Sequence, residues 1–230
     1  SSFFTTGGLA AVHVEDRSKQ GIWKGFKNKE TYATSGPQIL LWFDLITTSE
    51  TFPMGSKVNL EKNPVFEVKA VGSFKQKPGC PDFGLSANDN ARLKKICGGE
   101  CFNPSNERRN ITRIEVIKIT PQNYNDEPVD ELIEDTWKVF DCKPSQDGCK
   151  IRFSDRDFQR NGRDSVYYVR AIEEPSLRVN GDNLRCEYDD QGNCIKVNIC
   201  HGSYLTDKKD DCVSLSEERA WSSPIYVNKI

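Results

Sequence analysis

The stretch from Gly7 to Phe43, GGLAAVHVEDRSKQGIWKGFKNKETYATSGPQILLWF, decides how the rest of the chain is read. Leu9 to Val14 carries apolar residues at odd and even positions alike, the pattern of a strand covered on both faces in an α/β layer. From Ser18 to Lys29 the period changes. Ile22, Trp23 and Phe26 share one side at three- and four-residue spacing, and Lys19, Lys24, Lys27 and Lys29 take the other. This predicts an amphipathic helix whose basic end suits the negative pole of its dipole. Thr31 to Pro37 reads as a polar turn and Gln38 to Leu45 as the second strand. Such a unit needs a sheet to join, and nothing after Phe43 repeats its pattern.

Beyond Phe43 the text turns to short apolar runs broken by Pro, Gly, Asn and Asp. Strands are predicted at Lys57 to Leu60, Val65 to Val71, Arg113 to Thr120, Trp137 to Asp141, Lys150 to Ser154, Ser165 to Ile172 and Pro224 to Asn228. Several alternate by twos. In the third, Ile114, Val116 and Lys118 point one way and Arg113, Glu115, Ile117 and Ile119 the other, so one face is expected to be largely buried. The Ser165 to Ile172 segment is apolar on both sides and is expected to be covered on both. Short strands with long, decorated loops predict a mainly β, α+β chain with an antiparallel β-sandwich-like body. No fixed-period repeat and no low-complexity segment is present.

Composition narrows the function classes. The 32 basic and 34 acidic residues are interspersed and sum to a net charge of -2, without the clustered basic face that a polyanion binder needs, so nucleic acid is not expected as a partner. The longest apolar run, Ile39 to Phe43, is far short of the roughly 20 residues of a membrane-spanning helix. Ser1-Ser2-Phe3-Phe4 lacks the basic and apolar regions of a signal peptide, so any export signal is expected upstream or removed.

Nine cysteines lie in loop-like text rich in Gly, Pro and Asp. Zinc is the rival to disulfides, because Cys97-Gly-Gly-Glu-Cys101 has a knuckle-like spacing, but the chain holds only two histidines to complete a tetrahedral site. Among the pairings that nine cysteines allow, the preferred one is local in sequence: Cys142 with Cys149, Cys186 with Cys194 and Cys200 with Cys212. Cys80, Cys97 and Cys101 then share one bridge, and one thiol is left over. Such usage implies an oxidising compartment: periplasm, cell surface or medium. The sequon Asn110-Ile111-Thr112 is a site for glycosylation in a eukaryotic secretory route.

Long motifs carry a family resemblance. The run GGLAAV (Gly7 to Val12), then IWKGFKNKE (Ile22 to Glu30), TYATSGPQILLWFDL (Thr31 to Leu45) and PMGS (Pro53 to Ser56), resembles the end of the barrel in the polymerase-and-histidinol-phosphatase (PHP) superfamily of metal-dependent hydrolases. More specifically, it is similar to an exported family of unknown function related to the carbaryl-hydrolase-type members. The likeness continues through FEVKAVGSFKQKPGCPD, CGGECFNPSNERRNITRIEV, GRDSVYYVRAIEEPS, LRCEYDDQGNC and ERAWSSPIYV. It implies a closing strand-helix-strand of a PHP-like barrel at residues 1–45 and a β-rich accessory domain at 46–230. The family's metal-binding text, an early His-x-His and a late Ser-Asp-x-His type segment, has no counterpart here and is expected before Ser1. The chain is then a fragment or processed product. Its expected partner is the barrel portion, with divalent metals held there, and a homo-oligomer or another protein is a further possible partner.

Few residues in this chain offer chemistry. His13 and Glu15, at alternate positions of one strand, present an imidazole and a carboxylate to the same side and are weak metal-ligand candidates; the plainer reading is a polar strand end. By the resemblance, Arg17 follows the last barrel strand, where active sites open, and is a weak candidate for a catalytic-site cation. Tyr32, Thr34 and Ser35 fall in the expected turn and read as capping or rim residues. His201 reads as a surface histidine. Asp189, Asp190 and Asn193, around Gly192, form an oxygen-rich loop of calcium type, as do Asp207, Asp210 and Asp211, though neither has the spacing of a helix-loop-helix calcium site. The expectation is an accessory part of a phosphoesterase or amide/ester hydrolase, not catalytic alone. The alternatives are a secreted binding or assembly module for a protein, glycan or cell surface, and a calcium-stabilised structural protein.

Overall fold

The computed structural model describes residues 7–80, 102–179, 186–198, 200 and 212–230, and these residues are mainly strand. Two sheets face one another. The larger has eight strands: β1 (Leu9–Val12), β2 (Thr31–Thr34), β5 (Lys57–Leu60), β9 (Ile111–Ile119), β10 (Ile133–Asp141), β12 (Ser165–Glu173), β17 (Arg219–Ser222) and β18 (Ile225–Lys229). The smaller runs in the order β11 (Cys149–Ser154), β6 (Val65–Val71), β3 (Leu40–Ile46), β4 (Thr51–Pro53). Three two-stranded hairpins complete the set: β7 (Phe74–Pro78) with β8 (Phe102–Arg108), β13 (Ser176–Val179) with β16 (Val213–Ser216), and β14 (Cys186–Tyr188) with β15 (Cys194–Val197). Helix α1 (Lys19–Lys27) lies between β1 and β2, and the one-turn α2 (Phe158–Asn161) leads into β12.

Strand β12 organises the larger sheet. Along one edge it pairs with β9 over nearly its whole length. The other edge is shared, with β18 opposite Ser165 to Tyr167 and β17 opposite Arg170 to Ile172. Ser223 and Pro224 divide these two strands, and proline cannot donate to a ladder. From there β17 leads to β2 and β1, while β18 leads to β5 in parallel, the one parallel pairing among the described residues.

The core fills the space between the sheets. Leu41, Phe43 and Leu45 of β3 and Phe66, Val68 and Ala70 of β6 meet Ile114, Val116, Tyr167, Val169 and Ala171 from the larger sheet, all buried. Phe66 is the aromatic hub, 5.4 Å from Phe43, 5.2 Å from Phe153 and 4.7 Å from Tyr167 between ring centres. The period-two alternation of β3 sends every second side chain inward, as a half-buried strand requires.

One ion pair lies inside this core. Lys118 Nζ is 2.7 Å from Asp155 Oδ2, which also accepts from the Tyr167 hydroxyl at 2.7 Å, while Asp155 Oδ1 accepts from the Asp157 backbone at 2.9 Å. The ammonium also sits over the Trp137 ring at 5.3 Å. Burial pushes the Asp155 carboxyl up, but the bonds from Lys118, Tyr167 and Asp157 outweigh it and hold the group below its ordinary value. Burial and the same carboxylate push the Tyr167 phenol up.

The seven strands predicted after Phe43 are all present with small shifts at their ends. The opening unit differs from its expectation. Its second strand is β2, where a polar turn was predicted; the turn itself is confined to Ser35, Gly36 and Pro37. TYAT alternates a buried Tyr32 and Thr34 with half-buried or exposed neighbours, and Ala33 pairs with Trp221 from the far end of the chain. Gln38 to Leu45 is a strand as predicted, but β3 belongs to the other sheet. β1 is exposed or half-buried, not covered on both faces, and it pairs antiparallel with β2, whereas a barrel unit has parallel strands. The division at residue 45 has no counterpart in the pairing, since β2 and β3 are bonded into sheets built largely from later residues. In β9 both faces are buried at Ile114 to Lys118, because charged neighbours cover the outer one: Arg113 and Arg170 flank Glu115, each 2.8 Å away. β12 alternates between buried and half-buried up to Arg170, so it is less covered than predicted.

The three local cysteine pairings are present: Cys142–Cys149, Cys186–Cys194 and Cys200–Cys212, with Cα separations of 5.7, 5.4 and 5.6 Å. Cys80 is disulfide-bonded as well, and Cys97 and Cys101 lie outside the described residues. The first bridge joins the end of β10 in one sheet to the start of β11 in the other, so it staples the two layers. Gly148 makes the approach possible. Its φ is +89°, and a Cβ there would stand 2.1 Å from the Ala70 carbonyl oxygen.

Candidate functional site

The residues singled out in the opening unit gather at the carboxyl end of β1. An open cleft of about 410 Å³ is lined there by His13, Glu15, Asp16, Ser18, Lys24 and Glu30, with the backbone of α1 as its wall. Local chemistry builds it. Ser18 caps the helix, its Oγ accepting from the Gly21 amide at 3.0 Å, and Asp16 accepts from the Ser18 amide at 2.7 Å. Those bonds from Ser18 hold the Asp16 carboxyl below its ordinary value. Gly25 lets the helix lie against the strand: a Cβ would come within 2.6 Å of Val12 Cγ2 and 2.7 Å of the His13 carbonyl oxygen.

His13 is turned toward β3. Its Nε2 is 2.8 Å from the Leu41 carbonyl oxygen, and its ring lies 5.4 Å from Tyr32 and 5.8 Å from Trp42. The carbonyl can only accept, so Nε2 donates to it and Nδ1 is the one ring nitrogen left to face a ligand. Asp44, on β3 opposite Glu67, is pushed up by burial and by that like charge, with His13 pulling the other way. Tyr32 is anchored by its hydroxyl, which donates to the Ile39 carbonyl at 3.0 Å, and burial pushes that phenol up.

The structure thus brings His13 and Glu15 to one cleft but commits one imidazole nitrogen to the backbone. Among the described residues no group of three or more His, Cys, Asp and Glu side chains is placed to hold a metal. Arg17 is exposed and does not line the cleft. Tyr32 and Thr34 are buried strand residues. Ser35 turns back to the end of the sheet, its hydroxyl donating to Glu218. The calcium-type loop is a hairpin turn: Asp189 Oδ1 accepts from the amides of Gln191 and Asn193, and Oδ2 accepts from the Asn193 side chain at 3.1 Å. Those bonds hold the Asp189 carboxyl low and already occupy both of its oxygens. Asp207, Asp210, Asp211 and His201 lie outside the described residues. The sequon asparagine is engaged on both sides, its amide donating to Glu174 at 2.8 Å and its carbonyl accepting from Ser145 at 3.1 Å.

Lys118, Asp155 and Glu173 were not among the predicted site residues, although Lys118 shares the inward side of a predicted strand with Ile114 and Val116. A lysine in that register signals a buried partner.

The described residues define a disulfide-bonded β protein built on two main sheets, and no helix among them is long and apolar enough to cross a membrane. Residues 1–77 match the family described as "Protein of unknown function (DUF3604)", about a third of the chain. No curated protein and no solved structure matches it.

Proposed function

We propose that the chain is the accessory β-rich part of an exported, PHP-like metal-dependent hydrolase, buttressing the barrel by the β1–α1 face and contributing no complete active site of its own. The observation that carries this reading is the uncovered apolar side of that segment. Trp23 is 70% exposed and Phe26 48%, with Ile22 exposed on the same helix, and β1 is the end strand of its sheet, with β2 its partner. Single exposed apolar residues are ordinary, but three at helical spacing on one short helix make a surface suited to packing. The segment lies within the part matched to DUF3604, and the motif resemblance points to the same barrel end. Three disulfides favour an oxidising compartment.

Intact-mass, amino-terminal and metal analysis of native material tests this. A PHP-like barrel, covalently continuous or copurifying, should accompany the chain and hold the metal. Recovery of an independent 230-residue protein with neither barrel nor metal would sink the reading. A second reading, a secreted binding or assembly module, is favoured by the opposed and exposed Leu177 and Leu215 on β13 and β16, with Ile195 and Val197 on β15 nearby in sequence. Retention of ligand or cell-surface binding after Trp23→Glu with Phe26→Glu would separate it from the first.

A further inference from the structure

A second open cleft, of about 440 Å³, lies at the other end of the opening unit, where β1 meets the start of the β7 hairpin. Arg178 of β13, Gln38, Ser73 and Gln76 supply its polar lining, and Leu9, Pro37, Phe74 and Pro104 its apolar walls. Two buried glutamates stand behind it. Glu218 pairs with Arg178 Nε at 2.8 Å and accepts from the Ser35 hydroxyl. Glu173 accepts from both the backbone and the hydroxyl of Ser73, the latter at 3.1 Å. The two are locked together by the Glu173 amide, which donates to the Glu218 carbonyl at 2.8 Å.

Burying two carboxylates is costly unless each is bonded and paired, so their placement needs a reason. Here one holds the cleft's cation and the other holds the cleft's serine. That is how a supporting shell orients the groups that touch a ligand. The guanidinium is held by charge, with Nε 2.8 Å from Glu218 Oε1 although the buried Nε–H is not aimed at an acceptor, and among the described residues no hydrogen bond reaches the two terminal nitrogens of its planar fork. The fork matches a carboxylate in bidentate geometry. Arg109 and Arg178 both act on Glu173, so the surrounding charge is not one-sidedly negative. A dianion would nevertheless face two glutamates with Arg178 as the one guanidinium lining the cleft, since Arg108 stacks on the Phe74 ring at 3.8 Å and is spent on the Gly72 carbonyl, whereas a monoanion with a small apolar body fits both the charge and the walls. The volume suits a small molecule.

We infer that this cleft binds a small organic monocarboxylate, with Arg178 gripping the carboxylate, Gln38 bonding beside it, and Leu9, Pro37 and Phe74 covering the apolar body. The inference is independent of the hydrolase reading. Calorimetric titration of the full chain with acetate, butyrate and benzoate tests it, with inorganic phosphate as the competing anion. Saturable binding should strengthen from acetate to the larger acids and weaken at least about tenfold in Arg178→Gln. Because that variant leaves Glu218 unpaired, Gln38→Glu provides a second arm: it puts a negative charge at an exposed position in the cleft, leaves the Arg178–Glu218 pair intact and should abolish binding. No saturable carboxylate binding, phosphate binding tighter than carboxylate, or Gln38→Glu binding as well as the parent would each overturn the proposal.

Discussion

At the residue scale, the Lys118–Asp155–Tyr167 cluster is the most exacting feature of the core. Removing one member of a buried ion pair leaves the other charge stranded, which costs about 3 to 5 kcal/mol, whereas losing one hydrogen bond costs about 1. Asp155→Asn should therefore destabilise far more than Tyr167→Phe, as measured by urea denaturation. The two buried acids also respond to pH with opposite signs. Asp155 is held low when folded, so its contribution is fully present above the unfolded value near pH 4 and is lost as pH falls through its lower folded value. Glu173 is pushed up by burial, against the bonds from Ser73, so the folded state takes up a proton first and stability rises as pH falls from neutrality toward the ordinary glutamate range. A melting-temperature profile should show that rise flattened in Glu173→Gln and the acid-side loss reduced in Asp155→Asn.

At the element scale, α1 is fastened through its strand-facing side and not through its apolar side. Gly25→Ala should cost about 1 to 3 kcal/mol by overpacking against Val12 and the His13 carbonyl, whereas Trp23→Glu should change stability by less than about 0.5. Reversal of that order in chemical denaturation would mean that the exposed face is covered in solution. The Cys142–Cys149 staple closes a short loop between the sheets, and its removal in Cys142→Ser with Cys149→Ser should cost about 2 to 3 kcal/mol on the loop-entropy estimate. The amide of Asn110 tethers the start of β9 to Glu174 and to the β10–β11 loop.

At the scale of the whole molecule, the three described bridges use six cysteines and Cys80 is bonded too, so thiol titration of the unfolded, unreduced protein should find one free thiol of the nine. A count near nine would remove the case for an oxidising compartment. Half of the eighteen described strands were legible, the longer ones above all, because alternation over five to nine residues is a local signal, whereas short strands such as β4, β14 and β17 carry too few residues to show it. The start of the helix near Ser18 and the three short-range cysteine pairs were legible for the same reason, since each depends on residues close in sequence. The error at Thr31 to Pro37 is instructive, because Thr, Ser, Gly and Pro describe the turn at its end but not the strand before it. Tyr32 and Thr34 are strand residues on account of Arg219 to Ser222, nearly the whole chain away.

The candidate site follows the same division. That His13 and Glu15 share a side was readable from their alternation; that the imidazole is spent on the Leu41 carbonyl was not, because β3 had to be laid beside it first. The same holds for Arg178, whose value lies in Glu218, Ser73 and Gln38, all distant in sequence. The sequence by itself determined where the longer strands, the helix and the local bridges form, since period and cysteine spacing act over short range. Only the tertiary structure decided which strands pair, which charges are buried together and which clefts those charges line, because long-range pairing is selected by the burial of whole faces at once.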